Sequence, residues 1–240
     1  MRFLVTDSGI GGLNVLRSLR LRYDRIDFYY LSDRANAPYG EKSKSFLLSR
    51  TESILDEFGR GMDGVVFACN TQTVTCLDKL KDKYPFPIFG VRPDPPKGRS
   101  LILCTQRTAE SDWIKNVCKG LPADVAAPRG LVCAIEKNVR AVIAGDYGDV
   151  ISYLPPDRGY DEVALGCTHF LFLLPLVKDL YPSARVCGVP ETLFGAIDGK
   201  FGVTRGNVTH KISGKNKNNI TFLGDDCRRN CAIFSLLDNK

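Results

Sequence analysis

Residues 65–71 have the sequence VVFACNT, in which an apolar run is followed by a small residue, a cysteine and polar residues. The same arrangement recurs at residues 163–169, which have the sequence VALGCTH. Short apolar runs rich in β-branched residues predict strands, and the polar residues after them favour the start of a helix. We therefore expect Cys69 and Cys167 at the carboxyl ends of two strands, where open α/β sheets place their ligands.

The rest of the chain alternates between short apolar runs and segments of helical periodicity. This alternation predicts an α/β fold with mainly parallel sheets. Strands are predicted at residues 3–6, 27–31, 64–68, 87–91, 100–104, 162–165, 185–189 and 220–223. Helices are predicted at residues 13–22, 44–60, 71–83, 110–119, 131–144 and 172–180, with one more helical run after residue 190.

A proline-rich segment divides the chain. Residues 92–98 have the sequence RPDPPKG, and three prolines in four residues continue neither a strand nor a helix. A second change in composition follows Val189 and Pro190. We therefore predict a first α/β domain from residues 1–92 plus 189–240, and a second from residues 93–188.

Composition excludes several classes of protein. The chain has 240 residues with 44% hydrophobic content, which is enough for real cores. No run approaches the roughly 18 apolar residues of a membrane helix, and the first residues lack the apolar core of a signal peptide, so we expect a cytoplasmic protein and no membrane partner. Nine scattered cysteines without a C-x-x-C pair, together with only two histidines, argue against a disulfide framework and against a metal site.

The formal net charge of +6 is modest and partly local. Lys211, Lys215 and Lys217 lie in a polar stretch that we interpret as a solvated hairpin closed by the strand at 220–223. A nucleic-acid patch would interleave aromatic residues with the basic ones, and none are nearby. We therefore expect no nucleic-acid partner.

Two strand-end thiols allow two interpretations from chemistry alone. They suit removal of a proton from one face of a stereocentre and its delivery to the other face. A cysteine with a pKa of about 8.5 is mostly protonated at neutral pH, so each thiol needs polar neighbours and a helix N-terminus to act as a base. The alternative is that both are buried structural cysteines.

Four motifs extend the argument: DSGIGG at residues 7–12, Ser32-Asp33 followed by APYGEKS at 37–43, ACNT at 68–71, and LGCTH at 165–169. With these motifs in this order and spacing, the chain resembles the glutamate racemases of the aspartate/glutamate racemase superfamily. The resemblance implies two pseudo-symmetric open α/β domains with the active site in the cleft between them, glutamate as substrate, no pyridoxal phosphate or other cofactor, and a homodimer. It also implies a role in supplying D-glutamate for peptidoglycan synthesis.

The resemblance further implies roles for particular residues. Cys69 would abstract the α-proton of D-glutamate and Cys167 that of L-glutamate. Asp7 and His169 would assist the respective thiols, and Asp33 and Glu136 would be further supporting carboxylates. The substrate-binding set would be Asp7, Ser8, Pro38, Tyr39, Gly40, Asn70, Thr71, Thr108 and Thr168. Thr108 is preferred to Thr105 because it precedes Ala109-Glu110-Ser111 as a possible N-cap.

The chain departs from the family near the expected site. Gln72 replaces a small residue, Arg92 replaces a glutamate, and Phe170-Leu171 replaces Tyr-Pro. We expect the Gln72 side chain to shrink the substrate pocket or to add a hydrogen bond there, and the glycines of residues 9–12 to let substrate approach the backbone. Two alternatives stay open: a related racemase or lyase acting on aspartate or a hydantoin, and a non-catalytic binding protein that kept the fold.

Overall fold

The computed structural model describes residues 1–202 and 219–239, and its strands form two sheets. The strands are β1 (Arg2–Asp7), β2 (Asp27–Ser32), β3 (Gly64–Phe67), β4 (Ile88–Gly90), β5 (Ser100–Cys104), β6 (Ala123–Ala126), β7 (Glu162–Gly166), β8 (Arg185–Cys187) and β9 (Ile220–Leu223). One sheet has the order β4-β3-β1-β2-β9 and the other the order β6-β5-β7-β8. All strand pairs within both sheets are parallel, which confirms the predicted α/β class.

Helices cover the faces of both sheets because their apolar residues recur on one side. In the first helix, Leu13, Leu16 and Leu19 follow the three-residue spacing of a buried stripe, and all three are fully buried. The helices are α1 (Gly12–Arg22), α2 (Lys44–Phe58), α3 (Asn70–Leu80), α4 (Gln106–Ala109), α5 (Asp112–Val117), α6 (Leu131–Ala144), α7 (Leu174–Leu180), α8 (Glu191–Phe201) and α9 (Cys227–Asp238). None of the helices within the described ranges is long and apolar enough to span a bilayer.

Two predicted helices differ from the observed ones, and one observed strand has no predicted counterpart. The helix predicted at 110–119 is the shorter α5, which starts where the Ser111 hydroxyl accepts the N–H of Ile114, and the separate short helix α4 precedes it. The helix predicted at 172–180 begins as a 3-10 helix, Thr168–Leu173, and becomes α-helical only at Leu174. The edge strand β6 was not predicted. The proposed hairpin around Lys211 to Lys217 lies outside the described residues.

The sheets are arranged so that the carboxyl ends of their central strands face a common region. β1 and β3 are neighbours in one sheet, and β5 and β7 are neighbours in the other. One hydrophobic core contains residues of both, including Phe3 and Val66 of the first sheet and Leu101 and Val163 of the second. This continuous packing brings the polar segments that follow β1, β3 and β7 together.

Candidate active site

The two cysteines singled out from the sequence line one small cavity between the sheets. Cys69 is the N-cap residue of α3, and Cys167 precedes the 3-10 helix Thr168–Leu173. The cavity has a volume of about 10 Å³. Its other lining residues are Ser8, Pro38, Tyr39, Gly40, Asn70, Thr71, Thr105, Val132, Thr168 and His169.

A larger cavity of about 360 Å³ adjoins the small one and shares Pro38, Gly40, Thr105 and Val132 with it. Two arginines, Arg107 and Arg129, are among its other lining residues. This space opens next to the cavity that contains the thiols, and the two arginines give its walls positive charge.

The surroundings of Cys69 favour its protonated form. Burial raises the pKa of the Cys69 thiol well above its ordinary range, and the nearby charge of Asp7 raises it further. The thiol lies 3.9 Å from the Ser8 hydroxyl, to which it donates. At neutral pH this side of the cavity therefore holds a thiol rather than a thiolate.

The opposite side holds a cation. Burial alone lowers the pKa of His169, but hydrogen bonds with the Cys167 thiol and with Glu136 outweigh burial and raise it to about 10. The Nε2 atom of His169 lies 2.8 Å from Glu136 Oε1. The two thiols therefore face the cavity in unlike electrostatic settings, with the Asp7 carboxyl near Cys69 and the His169 imidazolium beside Cys167.

Glu136 is the centre of the hydrogen-bond network behind Cys167, which includes His169, Arg229 and the Ile10 N–H. Burial raises the pKa of its carboxyl, but the hydrogen bond and charge of His169, with contributions from the Ile10 N–H and Arg229, lower it to about 2. The Arg229 guanidinium donates to Glu136 Oε2 at 2.7 Å. Sequence reasoning missed Arg229, because it lies on a helix with no family motif and far from every predicted site residue in the chain.

Asp7 connects the two sheets rather than facing the cavity. Its Oδ1 accepts the backbone N–H of Gly9 at 2.8 Å, and its Oδ2 accepts the Thr168 hydroxyl at 3.0 Å. Burial raises the pKa of Asp7, and the positive charge of His169 acts in the opposite direction. Both oxygens already have donors within the protein, and the predicted contact of Asp7 with the substrate stays a prediction.

Asp33 also lies outside the cavity lining. Arg50 donates to both of its oxygens, through Nε at 2.9 Å and Nη2 at 2.8 Å, and the Tyr39 hydroxyl donates to Oδ2 at 2.7 Å. Burial raises the pKa of Asp33, but the Arg50 hydrogen bonds outweigh this and lower it. Tyr39 does line the cavity, so Asp33 contributes to the site by fixing the position of the Tyr39 ring. Arg50 is, with Arg229, a second residue of these networks that the sequence did not reveal.

Three threonine hydroxyls meet across the gap between the sheets. Thr71 lies 2.8 Å from Thr105 and 3.2 Å from Thr108, and the last two are 3.0 Å apart. The prediction that Thr108 is an N-cap is wrong, because the Thr105 hydroxyl accepts the Thr108 N–H and Thr105 is the N-cap of α4. Thr105 lines the cavity, and Thr108 is fully buried behind it.

The expectation for Gln72 is wrong as well. Its side chain is fully buried and points into the first sheet, where Oε1 accepts the Thr6 hydroxyl at 3.1 Å and Nε2 donates to the Thr51 hydroxyl at 3.2 Å. Arg92 likewise lies outside the cavity lining, with its guanidinium 3.5 Å from the centre of the Trp113 ring. Neither departure from the family alters the walls of the cavity directly.

The glycines at residues 9–12 accommodate protein rather than substrate. A Cβ at Gly11 would lie 2.6 Å from the backbone nitrogen of His169 and 2.7 Å from the Thr168 hydroxyl. A Cβ at Gly9 would overlap the Glu136 carboxylate. Gly9 and Gly11 have no room for a side chain because Glu136, Thr168 and His169 pack directly on this turn.

Comparison with known proteins gives a consistent result, although no protein-family model matches the chain. The chain is 33% identical to the glutamate racemase of Pseudomonas paraeruginosa over 198 residues, which cover 75% of this chain and 73% of that one. It is 34% identical to the glutamate racemase of Pseudomonas aeruginosa over 198 residues, again 75% and 73% of the two chains.

Solved structures agree on the fold. The glutamate racemase of Campylobacter jejuni superposes with a TM-score of 0.78 at 23% identity, covering 100% of this chain and 98% of that one. The glutamate racemase of Thermus thermophilus, solved with β-chloro-D-alanine, superposes with a TM-score of 0.73 at 24% identity over 98% and 92% of the chains. An aspartate racemase from Picrophilus torridus is more distant, with a TM-score of 0.55 at 15% identity over 85% and 95% of the chains.

Proposed function

This chain belongs to the glutamate racemase family, and we propose that it interconverts L- and D-glutamate by moving the α-proton between Cys69 and Cys167. The observation that carries the proposal is that both thiols line one cavity from opposite sheets. A two-base racemase needs this arrangement because one group must act on each face of the α-carbon.

The different electrostatic surroundings of the two thiols suit conversion of L-glutamate to D-glutamate. The Cys167 sulfur, beside the His169 imidazolium, accepts the α-proton of L-glutamate, and the electron pair of the broken C–H bond stays on the α-carbon. The Cys69 thiol then donates its proton to the other face of that carbon. D-glutamate leaves, and the proton now on Cys167 must be exchanged for a proton on Cys69 before the next turnover.

The lining residues suit a dicarboxylate substrate. Hydroxyl and amide groups from Ser8, Tyr39, Asn70, Thr71 and Thr168 surround the thiols. Such groups, with the backbone N–H groups at the start of α3, bind carboxylates through hydrogen bonds. Thr105 joins this set on the side of the second sheet.

Several further expectations rest on the family resemblance. We propose that the enzyme acts without pyridoxal phosphate or metal, supplies D-glutamate for peptidoglycan synthesis in the cytoplasm, and forms a homodimer. We also propose domain boundaries at residues 1–92 plus 189–240 and 93–188. In support, the strands β1 to β4 and β9 form one sheet and β5 to β8 form the other.

The test is α-proton exchange in D₂O, followed by NMR, with each enantiomer of glutamate, aspartate and alanine. Glutamate should exchange and racemise far faster than the other two, and activity should survive exhaustive dialysis. Faster racemisation of aspartate would assign the chain to a different substrate, and recovery only after adding pyridoxal phosphate or a metal would contradict cofactor independence.

Serine variants of the two cysteines test the mechanism. Because serine is a much weaker base than a thiolate, racemisation should collapse in both Cys69→Ser and Cys167→Ser. Residual exchange should be confined mainly to L-glutamate in Cys69→Ser and to D-glutamate in Cys167→Ser. Racemisation by either variant at nearly the wild-type rate would refute the two-thiol mechanism.

A further inference from the structure

An arginine from the C-terminal helix reaches the network behind Cys167. Arg229, in α9, donates through Nη2 to Glu136 Oε2 at 2.7 Å and to the Glu136 carbonyl oxygen at 3.1 Å. The Arg229 side chain is 27% exposed and that of Glu136 is 18% exposed, so the pair is partly shielded from water. α9 follows β9, the edge strand of the first sheet, whereas Glu136 lies in α6 between strands of the second sheet.

The contact divides the two oxygens of Glu136 between different partners. Oε1 accepts the His169 ring at 2.8 Å and the Ile10 backbone N–H at 3.0 Å, while Oε2 accepts only Arg229 among the described residues. Arg229 therefore fixes the rotation of the carboxylate. Without it, Oε2 would face the adjoining groove and the carboxylate could turn away from His169.

The groove beside this ion pair is open. It has a volume of about 460 Å³ and is lined by Glu136, Lys137, Arg140, Arg229 and Ile233, among others. A variant in which a smaller side chain replaces Arg229 would leave room in the groove for water or for a small cation at the position of the guanidinium. In such a variant, an added guanidinium compound can therefore enter the groove and take the place of the missing side-chain group.

We propose that Arg229 is a positioning residue for proton transfer at Cys167, acting through Glu136 and His169, and that it has no direct part in proton transfer at Cys69. This rests on the proposed racemase function. Arg229 has no hydrogen bond with Ser8, the residue in contact with the Cys69 sulfur. The C-terminal helix, which belongs to the side of the first sheet, therefore supports the thiol supplied by the second sheet.

The thermodynamics of racemisation dictates the measurement. The two enantiomers have equal free energies in water, so kcat/KM must fall by the same factor in both directions in any variant. The primary isotope effect does not share this constraint. If transfer at Cys167 slows, that step limits the rate more strongly, so the effect for L-glutamate deuterated at the α-carbon rises while the effect for deuterated D-glutamate falls toward unity.

The experiment compares Arg229→Met, Arg229→Lys and the matched control Arg228→Met, an exposed neighbour on the same helix. Arg229→Met should lower kcat/KM by about ten-fold or more, the loss expected for a charge-assisted hydrogen bond. Its isotope effects should diverge for the two enantiomers as described. Arg229→Lys should keep part of the activity, and Arg228→Met should match the wild type in both respects.

Chemical rescue guards against a folding artefact. In Arg229→Ala, methylguanidinium entering the groove should restore activity and the wild-type isotope effects in a saturable manner, whereas it should not rescue Cys167→Ser. If the wild type does not racemise glutamate, the proposed function is wrong and this inference falls with it. If the wild type is active but Arg229→Met changes both isotope effects in parallel, or rescue fails in a folded variant, only the inference about Arg229 is wrong.

Discussion

Replacing Gln72 with leucine tests whether this residue belongs to the core or to the substrate pocket. In the wild type, Gln72 Oε1 accepts the Thr6 hydroxyl, which has no other hydrogen bond among the described residues, and Nε2 donates to Thr51. All three side chains are at most 1% exposed. Thr51 keeps a contact with the Cys76 sulfur at 3.6 Å, so Thr6 is the group left without a partner.

The magnitude follows from these contacts. An unsatisfied buried hydroxyl costs about 1–3 kcal/mol, and the lost Thr51 bond costs about 1 kcal/mol, so Gln72→Leu should lower the free energy of unfolding by about 2–4 kcal/mol. The double variant Thr6→Val/Gln72→Leu should be less destabilised than the sum of the two single variants, because both partners of the hydrogen bond are then apolar. The KM for glutamate should stay close to that of the wild type in Gln72→Leu.

Urea unfolding followed by circular dichroism gives the free energies, and a coupled D-glutamate assay gives the kinetics. The wild type, both single variants and the double variant complete the cycle. A Gln72→Leu protein that is as stable as the wild type but has a KM raised ten-fold or more would refute the core assignment. It would place the amide at the substrate instead.

Three further predictions concern the networks around the cavity. Arg50→Met should raise the KM for glutamate in steady-state assays and lower stability by about 1–3 kcal/mol, because Asp33 loses two charge-assisted hydrogen bonds and no longer fixes Tyr39; an unchanged KM would show that Tyr39 needs no such support. Gly11→Ala should lower stability in urea unfolding by about 1–3 kcal/mol and reduce activity, since its Cβ would lie 2.6 Å from the His169 backbone nitrogen, whereas Gly199→Ala, with nothing within 4 Å, should be neutral or stabilising. The stability difference between wild type and Glu136→Gln should be largest between about pH 4.5 and 6.5. The ionised Glu136 carboxylate, whose pKa is lowered, stops stabilising the folded protein as pH falls through about 2. The protonated His169 ring, whose pKa is raised, stops stabilising it as pH rises through about 10. A pH-independent difference would contradict the His169–Glu136 ion pair.

The sequence predicted the parallel sheets and the positions of both thiols because those features depend on local patterns. An apolar run that ends in a cysteine and polar residues determines a strand, a turn and a helix start within a few residues. The strand β6 has no such pattern, since its residues Ala123–Ala126 are only partly buried at the edge of a sheet. Its formation depends on pairing with β5, which is a tertiary effect.

The direction in which a side chain points was also beyond the sequence. Gln72 directly follows the motif at residues 68–71, yet on α3 it faces Thr51 of α2, and adjacency in the chain does not distinguish that face from the cavity. The N-cap error has a similar origin, because Thr105 and Thr108 both precede helix-forming residues. Arg50 and Arg229 act through ion pairs with distant residues, which a single sequence does not reveal.

The unlike settings of the two thiols have a consequence for the reaction. Cys69 is buried beside Asp7, which favours its thiol form, whereas Cys167 lies beside the His169 imidazolium. The proposed two-thiol mechanism needs one thiol and one thiolate at each turnover, with the opposite assignment for the opposite direction. Under the proposed mechanism, the protein with a protonated Cys69 is prepared for L-glutamate, and D-glutamate must bind a form in which Cys69 has lost its proton. Because the equilibrium constant of racemisation is one, the free energy of that rearrangement appears as a higher KM and a correspondingly higher kcat for D-glutamate, or as a slow interconversion of free enzyme forms. Progress curves at high concentrations of each enantiomer distinguish the two cases. A slow interconversion limits the net rate, whereas isotope exchange between the enantiomers at equilibrium continues because it does not require the free forms to interconvert.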